Sequence, residues 1–375
     1  MLDEVMGLIC ANYNTDRLGA LTEDRPLASL PYGSRYRLID FVLSNMVNAG
    51  IRTVGVVMPY MYRSMLDHLG AGKSWFLDRK LGGMFILPGS IYGFRHMSTQ
   101  FLVKDMIRNL DYLVRDSKEY VVLTTANQIY NMDYKRFIEA HANSAADVTL
   151  VYRSENPAKR ARGLFLDLNF EKRVTKMVLV RRGQTNEEAP PPALFADCLI
   201  IRREQLVDLI GWYQAVDHMD LLDVLSENLG NLQVYGYEFN GYLGRVDSID
   251  SYLRCSMEAL MPENQDELFY GRRPVLTKVR DGVPTRYCKS SNVTNSLVPN
   301  ECTIKGRVEN SILFPGVLVE ADAVVKNSVI MQRGVVNRNA VVENVIADKF
   351  VNIGEGAIIM GSHDHPLVLK KRSAM

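Results

Sequence analysis

Apolar residues in the first half of the chain follow two alternating patterns. Short runs at 5–10, 52–58, 120–124 and 148–152 are apolar at nearly every position and rich in Val, Ile and Leu. This marks strands buried on both faces. Between them, Leu38, Phe41, Val42, Met46 and Val47 recur at helical spacing and stop at Gly50, and similar periodicity covers 101–115 and 134–142. A glycine just past such a pattern suits the left-handed residue on which helices end. Strands alternating with helices predict crossover units and a mostly parallel sheet covered on both faces. Such a sheet offers the carboxyl ends of its strands to a nucleotide or sugar.

The rhythm changes near residue 265. The chain then reads N-S-L-V from Asn295, N-S-I-L from Asn310, N-S-V-I from Asn327 and N-V-I-A from Asn344, in steps of 15, 17 and 17 residues. Small apolar triplets at 317–319, 323–325 and 340–342 fall between these starts, so apolar residues return about every six positions. A short beat nested in a longer one predicts a triangular coil with three short strands per turn, a parallel β-helix. A Val-rich sandwich would alternate at period two and would not repeat an Asn-Ser step. Because terminal rungs of a coil expose unpaired edges, they favour contact with another domain or subunit. The expected organisation is an α/β domain over 1–260, a connection over 261–290 containing Pro262, Pro274 and Pro284, and a coil over 291–375. The stretch Q-T-N-E-E-A-P-P-P at 184–192 is expected to bulge from the first domain as a loop.

Composition narrows the function. The 375 residues exceed one ordinary domain. With 44 Lys+Arg against 43 Asp+Glu, a broad basic surface for nucleic acid or an acidic membrane is excluded as the basis of function, while a local anion site stays open. Cys10, Cys198, Cys255, Cys288 and Cys302 are odd in number, scattered, and without a C-x-x-C pair. They fit neither a disulfide framework nor a zinc site and point to a reducing compartment. The start Met-Leu-Asp-Glu lacks a signal sequence, and no apolar run approaches bilayer length. The expectation is a cytoplasmic protein with no membrane or nucleic-acid partner.

Several segments are more specific. G-S-R-Y-R-L-I-D-F-V-L-S-N at 33–45, G-K-S-W-F-L-D-R at 72–79, I-Y-N-M-D-Y at 129–134, A-A-D-V-T at 145–149, L-T-K-V-R at 276–280 and P-T-R-Y at 284–287 resemble the ADP-glucose pyrophosphorylase (glucose-1-phosphate adenylyltransferase) family. The resemblance spans essentially the whole chain. It implies a Rossmann-like nucleotidyltransferase domain followed by a left-handed β-helix of hexapeptide repeats. The implied chemistry joins ATP to glucose 1-phosphate, giving ADP-glucose and pyrophosphate. That reaction needs a glycine-rich turn for the triphosphate, cations to neutralise it, and two carboxylates for Mg²⁺.

Position by position, the chain departs from this pattern. The family's G-G-x-G-T-R-L turn is N-Y-N-T-D-R-L at 12–18, so Asn12, Tyr13 and Thr15 replace glycines, Asp16 adds a negative charge, and Arg17 is retained. Leu27 stands at a phosphate-binding lysine, and Val180 at the lysine that grips the sugar phosphate. The metal aspartates fall on Asn127, which lacks the charge, and on Arg245, which repels a cation. F-L-V-K-D at 101–105 puts bulk where small residues frame the base.

Loss of these features together, with fold motifs kept, resembles the GlgD-type regulatory subunit of the family. That resemblance implies a non-catalytic chain in glycogen biosynthesis, paired with a catalytic homologue in a heterotetramer, or forming a homo-oligomer in isolation. No metal or cofactor is expected to be retained.

Two other readings stay open. A working nucleotidyltransferase would need a rearranged Mg²⁺ site built on Asp247, and a hexapeptide-repeat acyltransferase or scaffold would need only the coil. Arg25, Arg35 and Arg37, with Arg17, form a basic set suited to a phosphorylated-metabolite effector. The alternative for them is a solvated or salt-bridged loop. In the family, the positions of Arg25 and Arg37 belong to an activator site, whereas its companion lysine and histidine are here Asp24 and Pro31. His363-Asp364-His365 reads as a solvated strand end with no further ligand to complete a metal site. Trp75 reads as a packing or interface anchor.

Overall fold

The computed structural model describes residues 2–12, 16–58, 61–90, 100–155, 163–180, 191–216, 218–279, 281–362 and 364–375. Among them, the α/β domain is built on a nine-stranded sheet. Its continuous path runs Val174–Val180, Gly163–Leu168, Ala193–Arg202, Tyr120–Thr125, Val5–Cys10, Thr53–Met58, Gly83–Pro88, with Val148–Ser154 on Ala193–Arg202 and Val234–Glu238 beyond it. Val5–Cys10, Thr53–Met58 and Tyr120–Thr125 are buried at every residue, as their continuous apolar runs predict.

The sheet is mixed, which corrects the expectation of a mostly parallel one. Four strands, from Tyr120–Thr125 to Gly83–Pro88, run parallel. Ala193–Arg202 runs antiparallel to its neighbours, and Gly163–Leu168 returns through a short turn to pair antiparallel with Val174–Val180. A turn this short can only reverse direction, because parallel pairing requires a crossover.

Helix Leu38–Asn48 follows the predicted apolar spacing, and Asp40 accepts the Arg37 N–H at 2.9 Å to cap its first turn. It stops at Ala49, and Gly50 follows with φ 91°. The single helix predicted across 101–115 is instead two, Val103–Arg108 and Leu110–Arg115. Asn109 separates them, its side chain donating to the carbonyls of Asp105 at 2.7 Å and Pro88 at 2.9 Å. Such side-chain bonds offer the backbone an alternative to helix.

The second domain is the left-handed parallel β-helix. Its three sheets contain five, five and four strands, all paired parallel from coil to coil. The Asn-Ser repeat has a local cause. Asn295, Asn310, Asn327 and Asn344 take the corners at φ 41°, 43°, 46° and 53°, a region asparagine tolerates better than most residues. Each serine hydroxyl then accepts an N–H from the next coil at 3.1 Å, Ser311 to Ser296, Ser328 to Ser311 and Val345 to Ser328. The last repeat needs only a donor there, so Val345 stands where the others have serine. Leu313, Val319, Val325, Ile330, Val336 and Val342 fill the interior.

The domains share a core. Leu18, Leu21 and Tyr252 of the first pack with Phe314, Val329, Met331 and Ile346 of the second. The connecting segment is tied back to helix Leu38–Asn48, with the Leu276 N–H donating to Ser44 Oγ at 2.8 Å. Trp75 is fully buried, its ring meeting His68 edge-on at 5.5 Å, so it packs within the fold.

Candidate functional site

The structure brings Asn127 and Arg245 together just past the carboxyl end of Tyr120–Thr125. Gln128–Ile129 pairs antiparallel with Gly244–Arg245, and Asn127 O accepts the Val246 N–H at 2.9 Å. Thr125 Oγ1 donates to Asn127 Oδ1 at 2.5 Å, fixing the amide. Asn127 Nδ2 and Gln128 Oε1 are buried with no partner among the described residues.

Arg245 turns inward. Its Nη2 donates to Asp197 Oδ1 at 2.7 Å and to Phe195 O at 3.2 Å, while Gln128 Nε2 bonds the other Asp197 oxygen. Asp197 is fully buried and has φ 51°, strained for a residue with a Cβ. Burial pushes its carboxyl above the usual carboxylate range, and Arg245 and Gln128 oppose that rise. Gly163 makes room for the guanidinium, since a Cβ there would collide with Arg245 Nη1. Val180 pairs with Gly163 across the hairpin. The position resembling a metal aspartate is thus occupied by a cation with its own buried counter-charge.

This donor set does not fit Mg²⁺, which needs charged oxygen ligands. The described residues hold no group of three or more His, Cys, Asp or Glu side chains placed to bind a metal. Asp247, on which a rearranged site would depend, is already engaged. Arg17 Nη1 lies 3.4 Å from its Oδ2, and Ser251 Oγ donates to its Oδ1 at 3.2 Å within the cap of helix Ile249–Glu258. The retained Arg17 therefore faces a carboxylate.

The nucleotide side is filled as well. Asn12 Nδ2 bonds Asp105, whose other oxygen accepts the Ser90 N–H at 2.7 Å. Burial raises the Asp105 carboxyl, and these two bonds oppose the shift. Cys10 lies beneath, its thiol raised well above the ordinary range by burial and then by Asp105 and Asp220. Phe101, Leu102 and Val103 are buried. Leu27 is buried too, and with Cys10, Ala11, Ala28, Ala126 and Asn127 it leaves no space that a water molecule could enter. Small-molecule sites occupy roughly 300–1,000 Å³. Tyr13 and Thr15 lie outside the described residues.

The arginines proposed from sequence as one effector pocket are separately engaged, and Arg25 departs furthest from that expectation. It is buried, with Nε donating to Leu21 O at 2.9 Å and Nη2 bonded to Asp348 of the β-helix. A buried guanidinium needs a resident counter-ion, and Asp348 supplies one. Arg37 Nη1 donates to Ser64 O at 2.5 Å, and the exposed Arg35 lies 5.4 Å over the Tyr36 ring. His363 is outside the described residues, and the neighbouring His365 is exposed, its N–H donating to Ser362 Oγ at 3.0 Å.

Sequence reasoning missed Asp197 and Asp105. For Asp197 a signal was present: it is the one charged residue in the apolar run A-L-F-A-D-C-L-I-I at 193–201.

Residues 7–161 match the model of the nucleotidyl transferase family, and residues 283–365 that of the GlmU-like C-terminal hexapeptide region. The glycogen biosynthesis protein GlgD of Bacillus subtilis (strain 168) is 34% identical, the alignment covering 98% of this chain and 96% of the relative. The protein of the same name from Geobacillus stearothermophilus is 32% identical over 87% of this chain and 84% of its own length. The glucose-1-phosphate adenylyltransferase of Fervidobacterium nodosum is 29% identical over 96% of this chain and 87% of its own.

Proposed function

Since the chain belongs to the glucose-1-phosphate adenylyltransferase family, of the GlgD type, we propose that it serves glycogen biosynthesis as a regulatory, non-catalytic subunit that modulates a catalytic homologue. The observation that carries this reading is the Arg245–Asp197 ion pair beside Asn127. A fixed guanidinium opposes the divalent cation on which phosphoryl chemistry of this class depends. Leu27, and Asn12 bonded to Asp105, support the same reading from the nucleotide side.

Such a subunit acts by contact. Its surface would bind one conformation of the catalytic chain better than the other and shift the equilibrium by that difference. The assembly is a hetero-oligomer, in the simplest form a tetramer, and a phosphorylated metabolite would act as effector by the same differential affinity. Among the described residues no helix is long and apolar enough to cross a membrane.

The test is ADP-glucose formation with Mg²⁺ by this chain alone, by a catalytic homologue alone, and by the mixture. The expected result is no turnover by this chain and altered kinetics in the mixture. Substantial turnover by this chain alone, or a mixture indistinguishable from the catalytic chain, overturns the proposal.

A further inference from the structure

Three consecutive residues of the first domain reach the last coils of the β-helix. Glu23 pairs with Lys370 at 2.8 Å, Asp24 with Lys371 at 3.2 Å, and Arg25 with Asp348. The first two pairs are exposed and hold the segment weakly. The third is different, because the Arg25 and Asp348 side chains are only 7% and 3% exposed. Removing one member of such a pair leaves a buried, uncompensated charge, so the two surfaces resist separation. The order of signs also fixes register, since a one-residue slip would set Arg25 against Lys371.

Both ends of this contact lead onward. On the β-helix side, the Asp348 N–H donates to Leu369 O at 3.0 Å, joining the last two coils. On the other side, Arg25 holds the carbonyl of Leu21 in the turn Asp16–Thr22, and that turn carries Arg17 to Asp247 at the head of helix Ile249–Glu258. Val246, next to Asp247, is bonded to Asn127 at the strand-end cleft.

We infer that Glu23, Asp24 and Arg25 form a clasp with Lys370, Lys371 and Asp348 that passes displacement of the β-helix end to the strand-end cleft. The inference rests on the regulatory reading for its purpose, while its mechanics belong to this chain alone. A contact made on one domain is thereby felt in the other, provided the two ends are energetically coupled.

The test uses the full chain with Asp348→Asn, which keeps shape and removes charge. Amide exchange over Leu18, Leu21 and the residues around Asp247 should quicken by about fivefold or more, the lower range of measured couplings, with helix Arg203–Gly211 unchanged. The exchanged pair Arg25→Asp with Asp348→Arg should recover part of the protection. Unchanged exchange near Asp247 overturns the clasp. If Asp348→Asn does not fold, reversing Lys370 and Lys371 to Glu, then adding Glu23→Lys and Asp24→Lys, asks the same question, with failure of the second pair to restore protection as the overturning result. A second measurement mixes each chain with a catalytic homologue. Asp348→Asn should co-elute with the partner yet lose part of the wild-type effect on turnover, and a full effect overturns the inference. A wild-type chain without effect sinks the regulatory reading alone, because the exchange experiment still decides the clasp.

Discussion

Arg245 Nη2 lies 2.7 Å from Asp197 Oδ1, and that carboxylate is fully buried. The pair joins the two-stranded antiparallel ladder of Gln128–Ile129 and Gly244–Arg245 to the long strand Ala193–Arg202. A metal ion held by carboxylates at 127 and 245 would tie those two segments to each other, whereas here the charge at 245 ties its segment to the long strand.

Asp197→Asn keeps a residue that tolerates the left-handed backbone and removes only the charge. It should destabilise the chain by about 3–5 kcal/mol, the cost of stranding a buried partner. Adding Arg245→Met should recover much of that loss, as seen in urea unfolding of the two variants. Equal loss in the single and double variants would show that the pair is not coupled.

Restoring acids does not restore an enzyme. Asn127→Asp with Arg245→Asp should leave ADP-glucose formation far below that of a catalytic homologue. Leu27 still faces the nucleotide side, Asn12 stays bonded to Asp105, and the new acids would crowd the unpaired Asp197. Full activity from this double variant would show that the phosphate turn and Leu27 do not limit the reaction.

His141 should make stability depend on pH. Its ring is buried between Thr149, 2.8 Å from Nδ1, and Tyr120, and burial lowers its pKa to about 4. An unfolded histidine titrates near 6.5. Between those values the unfolded chain binds the extra proton, so this contribution is complete above about pH 6.5 and is lost as pH falls toward 4, amounting to at most about 3 kcal/mol. Asp220, raised to about 6 by burial, acts in the opposite sense in the same window. The difference between wild type and His141→Gln in denaturant unfolding at pH 7.5 and pH 5 isolates the histidine. A difference independent of pH would refute the assignment.

In the β-helix, Ser311→Ala removes the acceptor for the Ser328 N–H and should cost about 1–2 kcal/mol. Asn327→Ala should cost a similar amount by forcing a residue with no local hydrogen-bonding side chain to φ 46°, whereas Asn327→Gly should cost less. Thermal unfolding ranks the three, and an alanine as stable as the glycine would remove the backbone explanation.

These residues also mark what sequence can disclose. Asn327 and Ser311 act on neighbours one coil away, so their cause repeats along the chain and is visible as a repeat. The buried strands and helix Leu38–Asn48 are legible for the same local reason. Ala193–Arg202 was not, because its antiparallel direction depends on partners distant in the chain. Asn127 and Arg245 were identifiable as departures from a family pattern, but Asp197, which answers Arg245, belongs to no such motif. For Arg25 the sequence leaves open an effector pocket or a solvated or salt-bridged loop, because Asp348, its counter-ion, lies 323 residues away.

That separation bears on how the molecule assembles. A coil of the β-helix closes on the one before it, across only 15 to 17 residues of chain, so the loop entropy of each step is small and each finished coil templates the next. The Arg25–Asp348 contact brings together nearly the two extremes of the chain and forms only when both domains present finished surfaces. Folding should therefore protect the coil amides early and the turn Asp16–Thr22 last, an order that pulse-labelled hydrogen exchange during refolding would reveal or contradict.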